Sequence, residues 1–203
     1  MKNIAVFASG GGTDFQSVID ANQQENFCFI KYLVASKPNI GAIERAKKHG
    51  ISTLIFDQEQ ETLDAFYQRV ATTLKAENIQ LIVLAGWLKV VPAFLIEQFE
   101  NAIINIHPSL IPSFCGMGYY GLKVHQAAID YGVKVSGATV HFVEADVDGG
   151  AIIMQRSVPV LDGDTAEALQ ARILKEEHQM LPLCVKLICQ DKVKKVGRKV
   201  SIT

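Results

Sequence analysis

Compact apolar runs alternate with stretches whose apolar positions recur every three or four residues through the first half of the chain. Ile4 to Ala8, Phe29 to Ala35, Thr53 to Phe56 and Leu81 to Ala85 each end near small or polar residues and read as strands. Between them, Phe15 to Ala21, Ala42 to His49 and Leu63 to Glu77 carry helical patterns. Leu63, Phe66, Val70 and Leu74 share one face, and Gly50 stops the second helix. Pro92 opens a further helix through Phe99, and Ala102 to Ile106 makes a fifth strand. This order predicts an α/β fold with a doubly wound, mainly parallel, Rossmann-like sheet and right-handed crossovers.

The pattern changes after Pro108. Residues Pro112 to Gly121 form a glycine-bearing loop able to cover a ligand, followed by a helix from Lys123 to Tyr131. Ala138 to Val143 and Ile152 to Val160 alternate as strands and extend the sheet, with Asp148-Gly149-Gly150 as the turn before the second. Asp164 or Thr165 caps a long helix reaching about Ile188, kinked at Pro182, and the basic tail ends in a short hairpin around Gly197. No repeat or linker interrupts the chain. One domain over 1–203 is expected, with a phosphate-binding half at about 1–100 and a catalytic half at about 101–203.

Composition adds exclusions. A formal net charge of −1 and a single basic cluster, Lys192 to Lys199, argue against nucleic acid as a partner. Cys28, Cys115, Cys184 and Cys189 form no CxxC pair, so reduced thiols in the cytoplasm are expected, and no metal site. The start of the chain reads as a strand rather than a signal peptide, and no run of apolar residues is long enough for a membrane span, so no membrane partner is expected. Oligomeric state leaves no sequence signal.

Two segments carry candidate chemistry. Ser9-Gly10-Gly11-Gly12-Thr13-Asp14 joins the first strand to a helix N-terminus, where bare backbone N–H groups and the helix dipole suit a phosphate. Phe15 occupies the place of the third glycine of a dinucleotide fingerprint, and no Walker lysine follows. A tight turn with Thr13 or Asp14 as helix cap is the alternative. In Ile104-Asn105-Ile106-His107-Pro108-Ser109, strand alternation sends Asn105 and His107 to one face. With Asp148 they supply an amide to hold an anionic oxygen, an imidazole to move a proton, and a carboxylate to orient that imidazole and raise its pKa. Gly10, Gly86 and His107 end successive strands, where open α/β sheets bind ligands. His141 reads as buried and structural, Cys115 as no nucleophile, and Trp87 as core or as the wall of a ring-shaped pocket. Glu176-Glu177-His178 lacks a zinc helix's histidine pair, yet Glu177 can reach a substrate hydroxyl.

Together these segments resemble the glycinamide ribonucleotide formyltransferase family of folate-dependent formyltransferases. The likeness rests on Ala8 to Thr13, Leu84-Ala85-Gly86-Trp87-Leu88, Ile104 to Pro112, Gly137 to Val143, Asp148-Gly149-Gly150 and Glu177-His178. It implies formyl transfer from the co-substrate 10-formyltetrahydrofolate to the amine of glycinamide ribonucleotide, with Asn105, His107 and Asp148 catalytic and His107 protonated. It also implies that Gly12, Thr13 and Asp14 bind the phosphate and Glu177 the ribose. The pterin would meet Leu88, Lys89, Val90 and Val91 and the loop Glu144, Ala145, Asp146 and Val147. Asp14 stands where the family carries asparagine, and the loop Phe114 to Gly121 is longer than in short relatives. A formyltetrahydrofolate hydrolase and a non-catalytic sensor of nucleotide phosphate are the competing readings.

Overall fold

A computed structural model describes residues 1–203. Nine strands and six helices alternate along the chain, and the principal seven-stranded sheet has the Rossmann-like order β3-β2-β1-β4-β5-β6-β7. Two compact units, Met1–Ile104 and Asn105–Thr203, divide the chain.

In the first unit, β1 (Lys2–Ala8) lies parallel to β2 (Cys28–Ala35) and to β4 (Ile79–Leu84), while β3 (Ser52–Ile55) pairs with β2. Ile4 to Ala8, Leu33 to Ala35 and Leu81 to Val83 are wholly buried, which explains why these strands read as continuous apolar runs without alternation. Between them run α1 (Thr13–Glu25), α2 (Gly41–Lys48) and α3 (Leu63–Ala76), and α4 (Ala93–Gln98) leads to β5 (Ile103–His107). Helix α1 outlasts its apolar stripe because Asn26, in the left-handed conformation, closes it by donating its backbone N–H to Asn22 O.

In the second unit, α5 (Leu122–Tyr131) precedes β6 (Val135–Phe142), which is antiparallel to β7 (Ile152–Pro159). β6 begins three residues before the expected start, with Gly137 inside it. A Cβ at Gly137 would collide with the Arg156 carbonyl across the strand pair, so glycine here serves close approach and does not end the strand. The long helix α6 (Ala166–Cys189) is capped by Thr165, whose hydroxyl accepts the Ala168 N–H; Asp164 instead accepts from Leu161 N and Arg172. It continues through Pro182. β8 (Val193–Val196) and β9 (Lys199–Ile202) form the expected hairpin. No helix is long and apolar enough to cross a membrane.

Candidate functional site

In the first unit, Gly12 adopts φ 71° and is itself the N-cap of α1, with no side-chain cap. The alternative of a Thr13 or Asp14 cap is not what forms: Thr13 is the first helical residue and Asp14 sits in the first turn. Gly12 is obligatory for a second reason, since a Cβ there would meet Ala42 Cβ at 2.7 Å. The loop is held from outside by Ala42 N donating to Gly10 O (3.1 Å) and Arg45 Nε donating to Gly11 O (2.8 Å). The first intrahelical bond of α1 comes from Gln16 N to Gly12 O, so the N–H groups before it are those a helix N-terminus leaves outside its own ladder, the kind that suit an anion. Burial pushes the Asp14 carboxyl up to about 6.

Ser9 ties this loop to the segment after β4. Its N–H donates to Gly86 O at 3.1 Å, and its buried hydroxyl accepts Leu88 N at 3.0 Å. The glycine loop and Leu88 to Val91 therefore lie side by side. Leu88 and Val90 are exposed and Val91 buried, while Lys89 Nζ stands 4.8 Å from the Phe56 ring centre. Trp87 belongs to the core: it packs edge-on to Phe7, and its indole N–H donates to the Tyr67 hydroxyl, which donates to Val90 O.

In the second unit the expected triad converges. Strand β5 presents Asn105 and His107 on one face, and Asp148, at φ 55°, turns its carboxylate toward both. Asp148 Oδ2 lies 3.5 Å from His107 Nδ1 and accepts Gly116 N at 2.8 Å. Its Oδ1 accepts Asn105 Nδ2 at 3.4 Å and lies 3.5 Å from His141 Nε2. Glycine is needed after Asp148, because a Cβ at Gly150 would strike the Phe142 carbonyl.

His141 is buried, as expected, and its Nδ1 bonds the Phe142 carbonyl at 2.8 Å. Its other nitrogen, though, reaches the site: Nε2 is 3.1 Å from Asn105 Nδ2. The Asn105 amide therefore lies between the His141 ring and the Asp148 carboxylate. The register of β6 against β7 shifts between Val140 and His141. His125, on the buried face of α5, is a further imidazole with no warning in the sequence. Burial first, and the His107 charge second, hold its pKa down at about 4.

The expectation that Asp148 keeps His107 protonated near neutral pH is corrected by the structure. Burial lowers the His107 pKa, and this outweighs the Asp148 charge and the bond to the Phe114 carbonyl that raise it. That carbonyl lies 2.9 Å from His107 Nε2. Asp148 itself feels burial as its largest influence, yet the His141 and His107 rings and the Gly116 N–H bring its pKa below the usual value.

A saturated network fixes the chain just past His107. The Thr139 hydroxyl donates to Ser109 O (2.7 Å) and accepts both Ile111 N (3.1 Å) and Gln155 Nε2 (3.0 Å). The Ser109 hydroxyl donates to Ser113 O at 2.6 Å. Cys115 is no activated nucleophile, since burial and the Asp148 charge both raise its pKa. Glu177 lies buried on α6, Glu144 is half-buried, and Ala145, Asp146 and Val147 are exposed on the turn before Asp148. No set of three or more His, Cys, Asp or Glu side chains is arranged to hold a metal ion.

A Formyl transferase family model matches residues 2–185, a span that includes the glycine loop and the whole triad. The chain belongs to the formyl transferase family. Among its formyl transferase relatives, the chloroplastic phosphoribosylglycinamide formyltransferase of Vigna unguiculata is 41% identical over 194 residues, 95% of this chain. The chain spans only 62% of that relative's length. The phosphoribosylglycinamide formyltransferase of Bacillus subtilis is 37% identical, with 92% of this chain and 94% of the relative covered. Among solved formyl transferase structures, glycinamide ribonucleotide transformylase 1 of Symbiobacterium toebii superimposes with a TM-score of 0.92 at 38% identity, covering 100% of this chain and 94% of that one.

Proposed function

We propose that this protein transfers the formyl group of 10-formyltetrahydrofolate to the amine of N1-(5-phospho-D-ribosyl)glycinamide, the glycinamide ribonucleotide of purine synthesis. The observation that carries this reading is the cluster of Asn105, His107 and Asp148: an amide, an imidazole and a carboxylate within reach of one another, with no activated protein nucleophile beside them. The names and lengths of the Bacillus subtilis and Symbiobacterium toebii relatives support the choice of acceptor.

The substrate amine is the nucleophile. Its nitrogen attacks the formyl carbon, the bond from that carbon to the folate nitrogen then breaks, and one proton passes from the amine to the departing nitrogen. His107, left neutral by burial, accepts that proton from the tetrahedral adduct; the resulting imidazolium stands beside Asp148 and returns the proton to the leaving nitrogen. Asn105 holds the adduct's oxygen by exchanging its long 3.4 Å bond to Asp148 for one to that oxygen. For His107 Nε2 to accept the proton, its N–H bond to the Phe114 carbonyl is given up and the neutral ring carries its hydrogen on Nδ1, facing Asp148.

The remaining roles follow the same reading. Gly12, Thr13 and Asp14 take the phosphate through backbone N–H groups, and Glu177 takes the ribose. Leu88 to Val91 and Glu144 to Val147 take the pterin, mainly through backbone groups. The four free cysteines suit the cytoplasm, where we place the protein. The test is a spectrophotometric assay of formyl loss from 10-formyltetrahydrofolate with and without glycinamide ribonucleotide. Formyl loss that requires the amine and yields formylated product is expected. Loss to free formate at a rate indifferent to the amine would identify a hydrolase and overturn the proposal.

A further inference from the structure

The hairpin β8–β9 stands apart from the main sheet and begins after residue 185, where the family match ends. It nevertheless grips the turn that carries Asp148 at two points. Lys195 Nζ donates to Glu144 Oε1 at 2.6 Å while lying 5.5 Å from the centre of the Phe142 ring, and Arg198 donates to the Gly149 carbonyl at 2.8 Å. Glu144 enters the turn and Gly149 leaves it.

Asp148 between them has φ 55°, in the left-handed region that most non-glycine residues avoid. The turn's own bond, Gly149 N to Asp146 O, spans only part of that segment. Phe142 N donates to Ala151 O across the base of the turn and Gly116 N holds the Asp148 carboxylate, and the hairpin cations add a restraint from outside. Their contribution to overall stability is small, because the Lys195 and Glu144 side chains are 20% and 37% exposed, and pairs at such sites are worth little. Orientation is another matter: a catalytic group displaced by about 1 Å can lose on the order of a hundredfold in rate.

We propose that the carboxyl-terminal hairpin is a positioning element of the active centre, with Lys195 and Arg198 fixing the Glu144–Gly149 turn so that Asp148 faces His107, Asn105 and His141. This rests on the proposed reaction, in which Asp148 acts on His107. Lys195→Ala, Glu144→Ala, their double variant, Arg198→Ala and Lys195→Arg are compared in full-length protein by kcat, KM, Tm and NMR titration of the His107 ring. Lys195→Ala and Glu144→Ala each lower kcat by roughly fivefold to fiftyfold with Tm little changed, and the double variant is no worse than the poorer single. Lys195→Arg restores kcat. The His107 midpoint falls in the alanine variants, because the Asp148 charge that raises it is less well held.

Wild-type kcat in the single alanine variants would overturn the inference, as would losses that multiply in the double variant or a kcat loss that follows Tm. If wild-type protein fails to formylate the ribonucleotide, the proposed reaction falls. The His107 titration still decides the hairpin's role in that case, since it needs no substrate: an unmoved midpoint refutes positioning.

Discussion

His107 answers to two opposed demands. Both ring nitrogens face acceptors, the Phe114 carbonyl and the Asp148 carboxylate, which favours an imidazolium; burial favours the neutral ring and prevails. A neutral ring at neutral pH suits a base whose proton comes from the attacking amine. Two outcomes follow. NMR titration of the free protein places the His107 midpoint below 6.5, and Asp148→Asn moves it lower still, because the only nearby negative charge that raises it is gone. An upward move would show that Asp148 does not act on this ring. His107→Ala is expected to lower kcat at least roughly a hundredfold with modest change in KM, whereas a sensor that uses only the glycine loop would be indifferent to it. Asp14 presents the reverse case. Its folded pKa of about 6 lies above the ordinary carboxyl value, so the charged form opposes folding above pH 6 and that cost is relieved as pH falls through 6 toward 4. Asp14→Asn should raise Tm at pH 7.5 by several degrees and by much less at pH 4.5, and leave the ribonucleotide KM unchanged or lower. An equal gain at both pH values would exclude the carboxylate as the cause.

Elements were more legible in the sequence than the contacts between them. β1 to β5 and α2 to α5 lie within three residues of the ranges read from periodicity, since a strand buried on both faces or a helix with one apolar stripe declares itself locally. Asn105 and His107 could be placed on one face by alternation alone, and the two glycines after Asp148 marked its turn. What periodicity reports is the side on which a residue lies, not what faces it there. His141 therefore reads as structural, yet its Nε2 lies 3.1 Å from Asn105; His125 is buried on α5 in a position that reads as ordinary core. The His107 pKa escapes the sequence because a charge partner is visible in a motif and burial is not. The same limit applies to Tyr67, buried on α3 beside the stripe of Phe66, Val70 and Leu74. Its hydroxyl links that helix to both Trp87 and the Val90 carbonyl. Tyr67→Phe strands the indole N–H and frees Val90 O, at a cost of about 1–3 kcal/mol in denaturant unfolding. If Leu88 to Val91 meet the pterin, KM for 10-formyltetrahydrofolate rises while kcat holds. A stability loss without that rise in KM would remove this segment from the folate site.

For the molecule as a whole, the shifted groups divide between the two compact units and respond to acid with opposite signs. Asp14 belongs to Met1–Ile104, and its raised pKa makes that unit gain stability as pH falls below about 6. His107 and His125 belong to Asn105–Thr203, and both have lowered values. A histidine held neutral by the fold contributes its full stability above its unfolded value near 6.5, and loses it as pH falls toward the folded value, about 4 for His125. Between pH 6.5 and 5, His125 alone costs the second unit on the order of 2 kcal/mol, or roughly 4–8 °C in a chain of this size. His125→Asn, which removes the titrating ring while keeping a polar side chain, should therefore raise the calorimetric melting temperature by several degrees more at pH 5 than at pH 7.5. An equal effect at both pH values would show that this buried imidazole does not set the acid limit of the fold.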